Sequence, residues 1–345
     1  MSDIHIRTTG AVGRITLNRP AALNALTCDM VRAIDTALIG WATRDDIAML
    51  LIDAAGDKAF CSGGDIQQMY ATGRAGDYGY GRRFWRDEYA MNARLFNFPK
   101  PVASFLKGYT MGGGVGLGCH ASHRIVGHTS RIAMPECGIG LVPDVGGSLI
   151  LARAPGRLGE YLGTTAARMD AADAIHAGFA DYFIPEDDWP ALIAALESTA
   201  DRTLIDSAAQ DEGDSSLSHQ TTEINYFFSA ETLFHLHNAL SHSTTDFAHG
   251  ARGALERVSP LSTACTLELI RRARGLDTIE HALGMEYRFT HRAMEHGDFL
   301  EGIRAALIDK DRTPHWRHTL RNVGAHHAAM LRPLGNDALD LGKTT

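Results

Sequence analysis

The stretch that most constrains this chain runs over residues 107–147, KGYTMGGGVGLGCHASHRIVGHTSRIAMPECGIGLVPDVGG. It carries a glycine triplet at 112–114 and two acidic residues, Glu136 and Asp144. Just before it, 101–106 (PVASFL) reads as a buried strand that turns through Gly108 into a helix starting near Gly112. Glycines let the backbone approach another group closely. The first amides of a helix have no intrahelical acceptor, and together with the positive end of the helix dipole they suit a developing negative charge. A tight strand–helix turn with close packing would use the same glycines. A second glycine-rich loop upstream and the acidic pair downstream favour the functional reading.

The rest of the chain reads as an α/β protein. Residues 3–8 and 14–18 alternate around 10–13 as a β-hairpin. Thr27 is an N-cap, and Met30, Ile34, Leu38 and Trp41 follow at helical spacing as a core stripe. The run IAMLLI (47–52) is short and apolar, as a buried strand is. In GDKAFCSGGDI (56–66), Gly63 and Gly64 follow a strand and precede Asp65, where ligands of α/β proteins bind. Taken alone, that segment is a plain loop. Phe84, Glu88, Met91 and Leu95 share a helical face, which leaves Glu88 either solvated or in a pocket wall. Helices are expected at 147–155, 157–163 and 170–177, and a strand at 180–184. Residues 201–225 are poor in apolar residues and read as a polar linker or loop between a core of 1–200 and a helical region of 226–345. Helices are expected there at 230–240, 244–257, 261–274, 278–296 and 299–307.

Composition narrows the function. The net charge of −8 argues against a nucleic-acid surface, and no apolar run approaches a membrane span. The start MSDIHIRTTG lacks both the basic-then-apolar pattern of a secretory leader and the Arg-rich pattern of a transit segment, so a cytoplasmic protein is expected. Five cysteines without a CxxC spacing suggest neither a disulfide framework nor a metal site. His120, His123 and His128 show no ligand spacing and read as ordinary surface or core residues. No GxGxxG, P-loop or GxSxG motif occurs in the glycine-rich loops.

NRPAALNAL, DKAFCSGGDI, YTMGGGVGLG and MPECGIGLVPDVGG resemble the crotonase superfamily of acyl-CoA enzymes (enoyl-CoA hydratases and isomerases). FWRDEY and GMEYRFTHRAMEHGDFLEGIRAALIDKDRTPHW (284–316) resemble one branch, the 3-hydroxyisobutyryl-CoA hydrolases. The resemblance implies a ββα spiral core with a C-terminal helical region that completes the acyl-CoA site. It implies an oxyanion hole of two peptide N–H groups, assigned by motif to Ser62 and Gly113. Such donors stabilise the negative charge that thioester attack puts on the carbonyl oxygen. It further implies Glu136 as general base or acyl-accepting nucleophile, Asp144 as the group orienting water or the substrate hydroxyl, and Glu88 as a substrate-binding residue.

Each carboxylate also has a plainer role open to it: an ion pair for Glu136, a helix cap for Asp144, a solvated face for Glu88. A hydratase of this superfamily places a second glutamate at the position of Gly116, and an isomerase an aspartate. Here that position has no side chain, which favours hydrolysis of a 3-hydroxyacyl-CoA, as in valine catabolism. Enoyl-CoA hydration or isomerisation, and non-catalytic acyl-CoA binding, are the rival readings. CoA enters as part of the substrate, with no cofactor and no metal required. Lys58 and Lys107 are candidates for its phosphates by proximity only. A homo-oligomer is possible, since such proteins are often trimers or hexamers.

Overall fold

The structure, a computed structural model, describes residues 2–341. Strands β1 (Ile4–Thr9), β2 (Val12–Leu17), β3 (Met49–Ala54), β5 (Val102–Phe105), β7 (His123–Val126) and β9 (Tyr182–Phe183) form one sheet, in the order β1-β2-β3-β5-β7-β9. β1 and β2 are the antiparallel hairpin, and every later pairing is parallel. A second sheet consists of three-residue strands, β4 (Ala59–Cys61), β6 (Tyr109–Met111) and β8 (Arg131–Ala133), parallel and in that order. From β3 onward the chain alternates: a strand in the large sheet, a strand in the small one, then helix.

Successive side chains of a strand point to opposite faces, and β3 shows the result. Leu50 and Ile52 enter the main core, which also receives Met30, Ile34, Leu38 and Trp41 of α1 (Cys28–Ala42). Met49 and Leu51 enter a second core closed by Trp189, Leu192 and Leu196. Thr27 caps α1 by accepting a hydrogen bond from the Met30 amide at 3.2 Å.

Beyond α1 come α2 (Gln67–Arg74), α3 (Gly79–Phe96), α4 (Gly113–Gly118) and α5 (Gly147–Arg153). The segment 201–225 carries short helices, Thr203–Ala208, Ser216–His219 and the start of Thr221–Phe228. It is tied to the core by the buried Asp173, which accepts from the Ser215 hydroxyl at 2.7 Å and the Leu217 amide at 3.0 Å. The helical region follows, with Leu233–Ser241, Asp246–Leu255, Pro260–Ala273 and Ile279–His296 close to their expected spans. The last expected helix instead splits into Phe299–Ile303 and a π-helical turn, Arg304–Ile308. Among the described residues no helix is long and apolar enough to cross a membrane.

Candidate active site

The three strands of the small sheet end side by side, and a site loop leaves each of them. SGGD (62–65) follows β4, the glycine triplet follows β6, and Pro135-Glu136 follows β8. The CSGGD loop is held by the NRPAALNAL segment. Asn24 is buried at φ +56, in the left-handed region that asparagine tolerates. Its amide donates to the carbonyls of Ala55 and Ala59, at 3.0 and 2.8 Å. The Leu26 amide donates to Gly63 at 2.9 Å, and the Asp65 amide to Leu26 at 2.8 Å. Since Gly64 lies between those two bonds in a parallel bridge with Leu26, its own N–H points the other way.

This corrects one assignment. The Ser62 amide donates to the Leu23 carbonyl at 3.0 Å, so it is already engaged. The nitrogen beside Gly113 belongs to Gly64, 3.3 Å from where a Cβ on Gly113 would stand. Gly113 is the first residue of α4, a position whose amide has no intrahelical acceptor.

Each glycine of the triplet has a separate reason. Gly112 has φ +54, and a Cβ there would lie 2.7 Å from Glu136 Oε1. One on Gly113 would lie 2.6 Å from Glu88 Oε1, and one on Gly114 would run into the Cys61 carbonyl. The triplet therefore packs directly under two carboxylates.

Glu88, Glu136 and Asp144 line one small cavity of about 90 Å³ with Ser62, Gly64 and Gly113. All three acids are buried, at 3–4% exposure, which disposes of a solvated face for Glu88. Glu88 Oε1 and Glu136 Oε2 have no hydrogen-bond partner. Burial raises Glu88 and Glu136 well above the usual carboxylate range, and the charge of Asp144 adds to both. Asp144 is pushed up to about 7 by burial, partly offset by the Tyr89 hydroxyl donating to Oδ2 at 2.7 Å. Asp144 does not cap α5, whose N-cap is Gly146. The walls are apolar: Phe84 and Trp85 from α3, and Phe299 from the helical region, with the Trp85 and Phe299 rings 5.7 Å apart.

Position 116 is closed. A Cβ on Gly116 would lie 2.6 Å from Val145 Cβ and 2.8 Å from Asn92 Nδ2, so no carboxylate fits there without displacing both. Lys107 pairs with Asp57 at 2.7 Å and lines a different cleft. Sequence reasoning missed Tyr89, adjacent to Glu88, and Glu286, within the GMEYRFT segment. Glu286 is fully buried and accepts from the amides of Gly146 and Ser148.

Residues 12–330 match the enoyl-CoA hydratase/isomerase family. The chain belongs to that family. Among curated members, the mitochondrial 3-hydroxyisobutyryl-CoA hydrolase of Gallus gallus is 34% identical over 353 residues, covering 99% of this chain and 91% of that protein. Two solved structures superpose on this chain with a TM-score of 0.95. An enoyl-CoA hydratase from Rhodobacter sphaeroides 2.4.1 is 54% identical, with 98% of this chain and 100% of that one covered. A carnitinyl-CoA dehydratase from Mycobacterium thermoresistibile is 37% identical, with 99% and 100% covered.

Proposed function

We propose that this protein hydrolyses a short 3-hydroxyacyl-CoA thioester, 3-hydroxyisobutyryl-CoA in particular, to CoA and the free hydroxy acid, a step of valine catabolism. The observation that carries this reading is the filling of position 116. Val145 and Asn92 occupy the space of a second hydratase glutamate, while Glu136, Asp144 and Glu88 surround a corner of two glycine amides. The name of the vertebrate relatives agrees with it. The thioester oxygen is received by the N–H groups of Gly64 and Gly113. Glu136, with an unpartnered oxygen and raised basicity, takes the proton of the attacking water. Asp144, fixed by Tyr89, orients the water, and Glu88, whose Oε1 is unpartnered in the cavity, hydrogen-bonds the 3-hydroxyl of the substrate. The nucleotide end of CoA lies in the open cleft of about 1200 Å³ that Asp65 and Gln67 share with Arg32 and Arg83. CoA is part of the substrate, and the reaction takes no cofactor. A cytoplasmic site of action belongs to the same proposal, although the vertebrate relatives are named mitochondrial.

The test is a panel of acyl-CoAs followed for free thiol and enoyl absorbance together. Thiol release from 3-hydroxyisobutyryl-CoA should exceed crotonyl-CoA hydration by at least about a hundredfold in kcat/KM, the order of discrimination that loss of one acid–base group produces. Efficient hydration without thiol release would reject hydrolysis in favour of the activity for which the Rhodobacter sphaeroides structure is named.

The size of the cavity adds a second expectation. The cavity is small, about 90 Å³, and Phe299 forms one of its walls, which favours a short acyl chain. Phe299→Ala removes one wall. Each methylene newly buried contributes about 0.8 kcal/mol. Two should raise the ratio of six-carbon to four-carbon thioester hydrolysis about tenfold or more. The ratio is independent of the folded fraction, and an unchanged ratio would show that Phe299 does not limit chain length.

A further inference from the structure

The loop that carries Asp144 is held in an unfavourable shape. Val145 has φ +54, in the left-handed region that a β-branched residue rarely occupies. Three contacts from outside the loop fix it. Glu286 Oε2 accepts from the Gly146 amide at 2.8 Å, and Oε1 accepts from the Ser148 amide at 2.9 Å and from the Ser148 hydroxyl. His120 Nε2 lies 2.7 Å from the Val145 carbonyl, and burial lowers this imidazole to about 4, so it meets the carbonyl as a neutral N–H donor. Tyr89 donates to Asp144 itself, and Thr290 lies 3.3 Å from the Tyr89 hydroxyl.

Glu286 and Thr290 are one turn apart on the helix Ile279–His296, and residues at that spacing share a face. One face of a helix from the C-terminal region therefore braces the loop both directly and through Tyr89. A fully buried carboxylate is costly unless its oxygens are used, and Glu286 uses both on the two residues that flank Gly147.

We propose that Glu286 is a positioning residue: it holds the strained Asp144–Val145–Gly146 backbone and so aims the Asp144 carboxylate at the reacting thioester. The proposal rests on the reading of Asp144 given above. The titratable groups facing Glu286 are Asp144 and Glu136 on the site loops and Tyr89 on α3. Its charge is one of those that raise Glu136, after burial and Asp144.

The test is Glu286→Gln in the full chain. Gln keeps the size but cannot accept from both amides without turning a donor towards one of them. kcat should fall at least about tenfold while KM stays within about threefold, the split expected when only the reacting geometry is disturbed. Loss of the Glu286 charge lowers the pKa of Glu136, so the acid limb of kcat/KM should move to lower pH. Wild-type kcat with an unmoved limb would overturn the proposal. Should Glu286→Gln not fold, Ser148→Ala decides, because it keeps both amide hydrogen bonds and removes only the hydroxyl. It should lower kcat by about threefold or more at constant KM, and wild-type kcat would overturn the proposal. Asp144→Asn measured alongside separates the two levels. An active Asp144→Asn sinks the site reading and this proposal with it. An inactive one beside a fully active Glu286→Gln sinks the positioning role alone.

Discussion

Glu136→Gln should lower kcat for thiol release by about 10²–10⁴, the usual cost of removing a general base, and leave the affinity for the acyl-CoA nearly intact. The substitution keeps the shape of the side chain over Gly112 and removes only its capacity to take a proton. Burial and the neighbouring charges raise Glu136 above the ordinary range. The sign of the pH dependence follows: a base must be deprotonated to act, so wild-type kcat/KM climbs as pH rises through that elevated pKa. The limb should sit above the ordinary carboxylate range and be missing from whatever activity the variant retains. Turnover within about threefold of wild type would remove Glu136 from the mechanism.

The parts of this site legible in the sequence are those encoded by composition over a short stretch. The triplet at 112–114, the two acids at 136 and 144, and Glu88 beside the aromatic residues of α3 all stand out, and the cavity brings them together. The motif pointed to the Ser62 amide, which the Leu23 carbonyl already engages, while the Gly64 nitrogen lies beside Gly113. A motif marks the loop, but which of its amides is engaged depends on where Leu23 and Leu26 place their backbone groups, almost forty residues earlier in the chain. The strands β4, β6 and β8 that aim the loops were unreadable because three residues carry no usable period. Glu286 was hidden for another reason. A lone glutamate in an amphipathic helix looks solvent-facing until the fold buries it against Gly146 and Ser148. The absence of a side chain at 116 was visible in the sequence. That Val145 and Asn92 fill the space was not, and it means that Gly116→Glu would displace both and disturb the loop.

Gly113→Ala should sharply lower turnover. Its Cβ would stand 2.6 Å from Glu88 Oε1 and 3.3 Å from the Gly64 nitrogen, within the corner that is to receive the thioester oxygen. Loss of one oxyanion donor typically costs about 10²–10³ in kcat. A shift of both amides should reach at least that, with binding weakened as well. The branched side chain of Gly113→Val should do no better. The methyl has two targets, and a double-mutant cycle separates them. Glu88→Ala removes the nearer contact, so if displacement of Glu88 caused the loss, Gly113→Ala would cost little more in that background. If the amide corner is what matters, Gly113→Ala should cost as much in the Glu88→Ala background as in the wild type, because the Cβ still crowds Gly64. Thermal unfolding of each variant, measured in parallel, shows whether the chain is folded. A folded Gly113→Ala protein with wild-type kcat/KM would reject the oxyanion role of the triplet outright.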